Sequence, residues 1–123
     1  MILLTLNCRG LASQPKKLVV KRLIDQQAVD VIFLQETMIE GCVLVQELEH
    51  LIHGWQFILV DAKGISSGLI LGWKSCNFLF HNAWAMNSGL CVVLYSYDLQ
   101  KEISFVNIYG PYLDRETFWN NSI

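Results

Sequence analysis

Two strand ends carry polar side chains of types that could hold a metal ion. A short apolar run at residues 2–6 stops at Asn7, and a second run at residues 31–34 is followed by Gln35 and Glu36. If the two strands are parallel neighbours, Asn7 and Glu36 meet at the carboxyl edge of one sheet, where open α/β sheets place ligands. A carboxylate beside a carboxamide suits Mg²⁺, which prefers oxygen ligands and often takes only one or two carboxylates from the protein. The pairing predicts that this chain is part of an enzyme.

A helix between these strands is what would make them parallel. Ser13 is a plausible helix cap and Pro15 falls in the first turn, as is common at helix starts. The helix is predicted over residues 16–28. Its apolar face comprises Val20, Leu23, Ile24 and Ala28, and Lys17, Lys21 and Asp25 are expected to lie away from that face. The strand–helix–strand order implies a right-handed crossover between parallel strands.

The rest of the chain predicts a second helix followed only by strands. The helix is expected over residues 43–52, and the strands over residues 55–60, 69–73, 78–84, 90–97 and 103–109. Strands that follow one another without helices are expected to pair antiparallel. The predicted fold class is α/β, with a mixed sheet that is parallel at its start and two helices on one face. Asp114 is a plausible cap of a final helix within which the chain stops.

Composition limits the class of protein. The 123 residues fit one domain, and with 53% hydrophobic and 16% charged residues the chain is expected to be folded. No apolar run approaches the ~18 residues of a membrane span, and no signal peptide is evident at the N-terminus. The four cysteines, Cys8, Cys42, Cys76 and Cys91, are widely separated, which favours reduced thiols. We therefore expect a nuclear or cytoplasmic protein that is not secreted and does not contact a membrane.

Charge gives little support for tight binding to nucleic acid by this chain alone. The net charge is −2, and the sequence pI is about 5.8. Nucleic-acid-binding proteins usually present a basic face. The one basic cluster is Lys16, Lys17, Lys21 and Arg22, which a solvated helix face explains.

Other reactive or aromatic residues leave two interpretations open. Cys8 is either a nucleophile or, as we expect, a buried inert thiol. His50 and His53 could face one metal, but helix-surface histidines are the favoured interpretation, and His81 is expected within a strand. The strand aromatics either stack on nucleotide bases or fill the sheet core. These aromatics are Trp55, Phe57, Trp73, Phe78, Phe80 and Trp84.

Four segments in order resemble a known superfamily. They are Leu-Asn-Cys-Arg-Gly at residues 6–10, Leu-Gln-Glu-Thr at 34–37, Ser-Gly-Leu at 67–69 and Asn-Ile-Tyr-Gly-Pro at 107–111. Together they resemble the N-terminal half of the endonuclease/exonuclease/phosphatase superfamily, most closely the endonuclease domain of LINE-type retrotransposons of plants. The resemblance covers essentially the whole chain. Ser67 stands where the family usually has glycine.

The resemblance implies a metal-dependent phosphodiesterase site. Glu36 matches the metal-binding glutamate, Asn7 the asparagine that helps to position the metal and a neighbouring catalytic group, and Tyr109 the tyrosine whose hydroxyl reaches toward the phosphate. The implied cofactor is Mg²⁺ or Mn²⁺, held weakly here, and the implied substrate is DNA. In the family an Asp–His pair activates the attacking water, and the family's second half also supplies an Asp-x-Asn segment. This sequence ends before either.

Two functions are therefore expected as alternatives for residues 1–123, taken as a truncated N-terminal half-domain. The first is a DNA endonuclease-like domain fragment derived from a retroelement, weakly active or inactive alone. The second is a non-catalytic remnant or a structural half-domain that a partner completes. In the complete family fold, a four-layer α/β sandwich, a second sheet covers the inner face of the first. We expect that face to be uncovered here and to promote self-association.

Overall fold

A computed structural model describes residues 1–38, 43–60, 68–86 and 89–108. These residues form two helices and seven strands. In chain order the elements are β1 (Leu3–Asn7), α1 (Gln14–Gln27), β2 (Val31–Gln35), α2 (Val43–Leu51), β3 (Trp55–Val60), β4 (Leu69–Lys74), β5 (Phe78–Met86), β6 (Gly89–Ser96) and β7 (Lys101–Ile108).

The first sheet is mixed and contains the predicted parallel pair. Its strand order is β1-β2-β4-β3. β1 and β2 run parallel, with Leu3 opposite Val31 and Asn7 opposite Gln35. β4 is antiparallel to both β2 and β3. The predicted crossover through α1 is therefore confirmed, and both strand ends of interest lie at the same edge of this sheet.

Both helices cover one face of the first sheet. Ser13 caps the N-terminus of α1, where its side-chain oxygen accepts a hydrogen bond from the Lys16 amide at 3.4 Å. Ala28 caps the C-terminus with a left-handed φ of 50°. The core beneath the helices is apolar because the helix stripe and alternate strand residues face each other. It includes Val20, Ile24, Leu44, Leu48, Ile32, Leu34, Phe57 and Ile70.

Lys17 departs from the prediction. It was expected on the solvated side of α1, yet it is only 5% exposed and its ammonium forms an ion pair with Glu47 of α2. The physical reason is the neighbouring helix. Glu47 of α2 lies against the Lys17 ammonium, and its carboxylate makes burial of the cation tolerable. Lys21 behaves as predicted, half-exposed and 3.5 Å from Asp25.

The last three strands form a separate antiparallel sheet, in the order β5-β6-β7. This second sheet packs on the face of the first sheet that the helices leave open. The interface between the sheets is apolar and contains Val31, Leu69, Leu71, Trp73, Phe78, Leu90, Val92, Leu94 and Phe105. The fold is thus α/β with three layers in the order helices, mixed sheet and antiparallel sheet.

The fold class is confirmed, but the expectation of an uncovered inner face is wrong. That face is covered by strands of this same chain rather than left open. β2 and β4 are buried on both faces, which is typical of strands at the centre of a layered structure. Self-association through that face therefore has no structural basis. The apolar side chains that remain exposed on the far face of the second sheet are Leu79, Trp84, Met86, Val106 and Ile108.

Most of the strand aromatics are core residues. Trp55 and Phe57 are 6% exposed beneath the helices, and Trp73 and Phe78 are 3% and 4% exposed between the sheets. Phe80 and Trp84 are the exposed members, at 42% and 46%. Packing rather than base stacking accounts for the buried four. Within the described ranges, no helix is long and apolar enough to cross a membrane.

Candidate functional site

The register of β1 and β2 brings Asn7 and Glu36 to one edge. Asn7 lies opposite Gln35, and the Cys8 amide donates to the Gln35 carbonyl at 2.8 Å. The ladder continues beyond the strands, because the Gly10 amide donates to the Glu36 carbonyl at 2.7 Å. The segments that follow the two strands are therefore held side by side, with Asn7 opposite Gln35 and Gly10 bonded to Glu36.

The backbone at this edge is strained. Arg9, Glu36 and Met38 have φ values of 50°, 54° and 56°, and they are three of the five non-glycine residues with positive φ in the described chain. A left-handed conformation costs a residue with a Cβ atom about 1–2 kcal/mol. Strain of this kind clusters at functional sites, where the surrounding structure imposes it. The surrounding structure therefore imposes a left-handed backbone at three positions of the edge that carries Asn7 and Glu36.

The loop after β1 is held by polar contacts that fix the Asn7 side chain. Asn7 Oδ1 accepts a hydrogen bond from the Arg9 amide at 3.2 Å, which closes a turn of the kind that asparagine favours. The ammonium of Lys16 donates to the carbonyls of Cys8 and Arg9 at 3.2 and 2.9 Å. The loop is thereby tied to the first turn of α1, and the Asn7 carboxamide is exposed to solvent at a defined place.

Cys8 is not an activated nucleophile. Burial raises the pKa of its thiol from 9.0 to about 11, the ammonium of Lys16 lowers it, and the carboxylate of Glu36 raises it further. The thiol is therefore protonated at neutral pH, as expected for an inert cysteine, because only the thiolate is a good nucleophile.

Thr37 adds a second unfavourable feature beside Glu36. Its side chain is fully buried, and its hydroxyl has no hydrogen-bond partner among the described residues. Its backbone is well held, since its carbonyl accepts from the Leu11 amide at 3.0 Å. A buried hydroxyl without a partner costs about 1–3 kcal/mol.

The residues at the edge fit a weakly held hard cation. Glu36 offers a carboxylate and Asn7 a carboxamide oxygen, and Mg²⁺ accepts such a set because it keeps several waters of its own. Across the described residues, no group of three or more His, Cys, Asp or Glu side chains is placed to hold a metal. Among the described residues, the donor set therefore suits a hard divalent cation that takes few ligands from the protein.

The structure does not bring the histidines to this edge. His50 and His53 are exposed, and their ring centroids are 6.3 Å apart near the end of α2. His81 lies in β5, as predicted, where Nδ1 is 2.5 Å from a carboxylate oxygen of Glu102. Helix-surface and sheet-surface roles account for all three. Tyr109 lies outside the described residues, so its predicted role stays a prediction.

Sequence reasoning missed a buried polar group next to the site. Asn107 of β7 is 1% exposed, and its side chain contacts Gln35, the residue before Glu36. The signal was present in the sequence. In an apolar strand that alternates between faces, Phe105 and Asn107 fall on the same, inward side. A carboxamide at an inward position needs hydrogen-bond partners inside the protein. A prediction that considers only the ends of strands does not look for such a group.

Comparisons with solved structures agree on the fold. The chain is similar to an AP endonuclease LMAP from Leishmania major, with a TM-score of 0.62 and 22% identity over 85% of this chain and 38% of that one. It is similar to the APE2 catalytic domain of Xenopus laevis, with a TM-score of 0.60 and 15% identity over 99% of this chain and 49% of that one. It is also similar to ANGEL2, a 2',3'-cyclic phosphatase, with a TM-score of 0.60 and 15% identity over 76% of this chain and 31% of that one.

All three are proteins of the endonuclease/exonuclease/phosphatase fold. This chain has part of that fold. It spans between 31% and 49% of the length of these three structures. No protein-family model matches the sequence, and no curated protein matches it. The partial α/β sandwich predicted from the sequence is therefore confirmed.

Proposed function

We propose that this chain is the Glu36-bearing part of a metal-dependent phosphodiesterase that acts on DNA. The observation that supports the proposal is the register that places Asn7 opposite Gln35, the residue before Glu36, at an edge of the first sheet where Glu36 has a left-handed backbone. The order of the four segments that resemble the superfamily supports the same conclusion from the sequence. The retroelement origin, in a LINE-type endonuclease, is proposed from those segments alone.

In this proposal each residue has a limited task. Glu36 and Asn7 hold a Mg²⁺ or Mn²⁺ ion, which supplies Lewis-acid stabilisation of charge on a phosphoryl oxygen when it is bound. The hydrogen bond from the Arg9 amide orients the Asn7 oxygen, and the ladder between the Gly10 amide and the Glu36 carbonyl fixes the backbone that carries the carboxylate. Tyr109 is proposed, by resemblance, to direct its hydroxyl toward the phosphate.

The second candidate is a binding half-domain that turns over substrate only when a complementary polypeptide supplies the rest of the site. One observation favours it. Among the described residues, Glu36 is the one carboxylate assigned to this edge of the first sheet, and no cluster of three metal-ligating side chains is found. A hard cation held by so few protein ligands binds weakly, and weak binding predicts low activity from this chain by itself.

Plasmid nicking tests the proposal. The purified chain is incubated with supercoiled DNA in Mg²⁺, in Mn²⁺ and in EDTA, beside Glu36→Gln and a control variant, Glu102→Gln. Glu102 carries the same charge but lies on the second sheet beside His81. Nicking that requires both the metal and Glu36, and that survives Glu102→Gln, supports the enzyme proposal. Nicking that Glu36→Gln leaves unchanged contradicts it.

A folded chain that does not nick DNA separates the two candidates further. The divalent cation then has to be tested for binding, because a bound ion raises the melting temperature by mass action. A rise that Glu36→Gln abolishes favours the half-domain that a partner completes. No rise in the wild type at millimolar Mg²⁺ or Mn²⁺ contradicts both candidates.

The proposal includes a location and a second partner, another copy of this chain. We place the protein in the nucleus or cytoplasm, where the described cysteines Cys8, Cys76 and Cys91, all free thiols, stay reduced.

Self-association is proposed through the exposed apolar side chains of the second sheet, since large exposed apolar patches promote association. Sedimentation at several concentrations tests this, and a single monomeric species for the wild type at all of them contradicts it.

A further inference from the structure

Asn107 joins the two sheets directly behind the candidate site. Its side-chain amide donates to the carbonyls of Leu34 and Ile70 at 3.2 and 2.9 Å. Its Oδ1 accepts a hydrogen bond from Gln35 Nε2 at 2.8 Å. The side chain thus crosses from the second sheet to the two central strands of the first, and both of its amide protons are used.

The contacts continue to β1. Gln35 Nε2 also donates to Thr5 Oγ1 at 2.9 Å, so the set of Thr5, Gln35 and Asn107 spans β1, β2 and β7. We call this set the amide bridge. Of the three side chains, Asn107 is buried, Gln35 is half-buried and Thr5 is exposed. A buried polar group that is fully hydrogen-bonded, as Asn107 is, rigidifies its surroundings because each partner restricts the others. The amide bridge therefore fixes the relative position of strands from both sheets.

The bridge ends at the residue that precedes Glu36. Gln35 is the last residue of β2, it lies opposite Asn7, and its carbonyl accepts from the Cys8 amide at 2.8 Å. The next residue, Glu36, leaves the strand through a left-handed φ of 54°. A rotation or shift at Gln35 therefore changes the direction in which the Glu36 carboxylate points.

We propose that Asn107 is a positioning residue for Glu36, acting through Gln35 and the Leu34 carbonyl. The proposal rests on the proposed function for the identity of the ligand, a divalent cation. Residues that orient a metal ligand typically change metal affinity by about 10–100-fold when they are removed. Because Asn107 acts here through one intermediate side chain, the expected loss of affinity is at the lower end, about tenfold.

A purely structural role for Asn107 is the alternative, and the chain offers a matched control. Asn77 is also an asparagine whose Nδ2 crosses between segments, where it donates to Asp30 Oδ1 at 2.9 Å. It lies at the opposite end of the first sheet, where β2 begins at Val31. Asn77→Ala and Asn107→Ala both remove a carboxamide and its hydrogen bonds. Only Asn107→Ala removes them beside Glu36.

The experiment measures two properties of the purified chain and its variants. The first is the dissociation constant for Mn²⁺ alone, from the relaxation of water protons. The second is hydrogen exchange of the Gly10 amide, which donates to the Glu36 carbonyl, relative to the Ile32 amide in the centre of β2. Gln35→Met is included because it removes the hydrogen bonds of the bridge with less risk to folding than a change at fully buried Asn107.

We expect Asn107→Ala and Gln35→Met to weaken Mn²⁺ binding about tenfold and to speed exchange at Gly10 more than at Ile32. Asn77→Ala is expected to change neither the dissociation constant nor the Gly10-to-Ile32 ratio. Unchanged binding and an unchanged ratio in Gln35→Met and Asn107→Ala would overturn the proposal. A wild type that does not bind Mn²⁺ through Glu36 would overturn the proposed function instead, and the exchange ratio would still decide whether the bridge holds Glu36.

Discussion

Replacing Glu36 by glycine should make this protein more stable while removing its proposed metal ligand. Glu36 has a φ of 54°, and a residue with a Cβ atom gives up about 1–2 kcal/mol in the left-handed region. Glycine avoids this cost but loses about 0.5–1 kcal/mol more conformational entropy on folding. The expected net effect is a gain of about 0.5–1 kcal/mol in the free energy of unfolding.

Loss of the carboxylate itself should change little in the absence of metal. Glu36 is half-buried, and no ion pair of its carboxylate occurs among the described residues. Its charge raises the pKa of Cys8, which concerns only alkaline pH. Glu36→Ala removes the same carboxylate but keeps a Cβ atom in the left-handed region. The difference in stability between the glycine and alanine variants therefore isolates the backbone contribution.

The assay is thermal unfolding followed by circular dichroism, in EDTA and then in millimolar Mg²⁺. A gain near 1 kcal/mol corresponds to about 3–5 °C for a domain of this size, so Glu36→Gly should melt above Glu36→Ala in EDTA. Mg²⁺ should raise the melting temperature of the wild type, because an ion that binds only the folded state stabilises it. Neither Glu36→Gly nor Glu36→Ala should show such a rise.

Two results would refute this reasoning separately. A glycine variant that melts at or below the alanine variant would show that the cost of the left-handed backbone at Glu36 does not exceed the extra conformational entropy that glycine loses on folding. A glycine variant whose melting temperature rises with Mg²⁺ as much as that of the wild type would show that Glu36 is not a ligand of the ion.

Three further predictions concern the rest of the fold. Gly72→Ala should lower the free energy of unfolding by about 1–3 kcal/mol through overpacking, because a Cβ atom there would lie 2.4 Å from the Phe57 ring. Equal denaturant midpoints for the variant and the wild type would contradict this. The free energy of unfolding of the wild type, relative to Cys8→Ala, should be constant below pH 9 and fall as the pH rises toward 11. The reason is that burial raises the pKa of the thiol in the folded chain to about 11, whereas the thiol of the unfolded chain ionises near 9.0. Urea unfolding at pH 8 and pH 10.5 measures the change, and a relative stability that rises with pH would contradict the prediction. Glu47→Gln should cost about 1–3 kcal/mol because it leaves the buried Lys17 ammonium without its carboxylate partner. Lys17→Met should be nearly neutral, because an apolar side chain needs no partner there. Denaturant titrations of both variants measure the two costs, and the reverse order would show that Lys17 tolerates burial without Glu47.

Local pattern was sufficient for the elements and for the edge that carries the candidate site. The spacing of apolar residues, the cap at Ser13 and the strand–helix–strand order predict β1, α1 and β2, and these elements are confirmed. Parallel pairing then follows from the crossover, since the connection returns the chain to the same side of the sheet. The placement of Asn7 beside the Gln35–Glu36 segment required nothing beyond this local information.

Tertiary structure alone decided which surfaces meet. Alternation in β5, β6 and β7 predicts strands, but it does not choose their partners, so their separation into a second sheet over the first could not be read from the pattern. Lys17 is buried only because α2 brings Glu47 to it. Asn107 bonds to strand carbonyls that are more than thirty residues away in the sequence. Local periodicity in the sequence shows which side of a helix or strand is apolar. Which other element covers that side depends on packing between segments that are distant in the sequence.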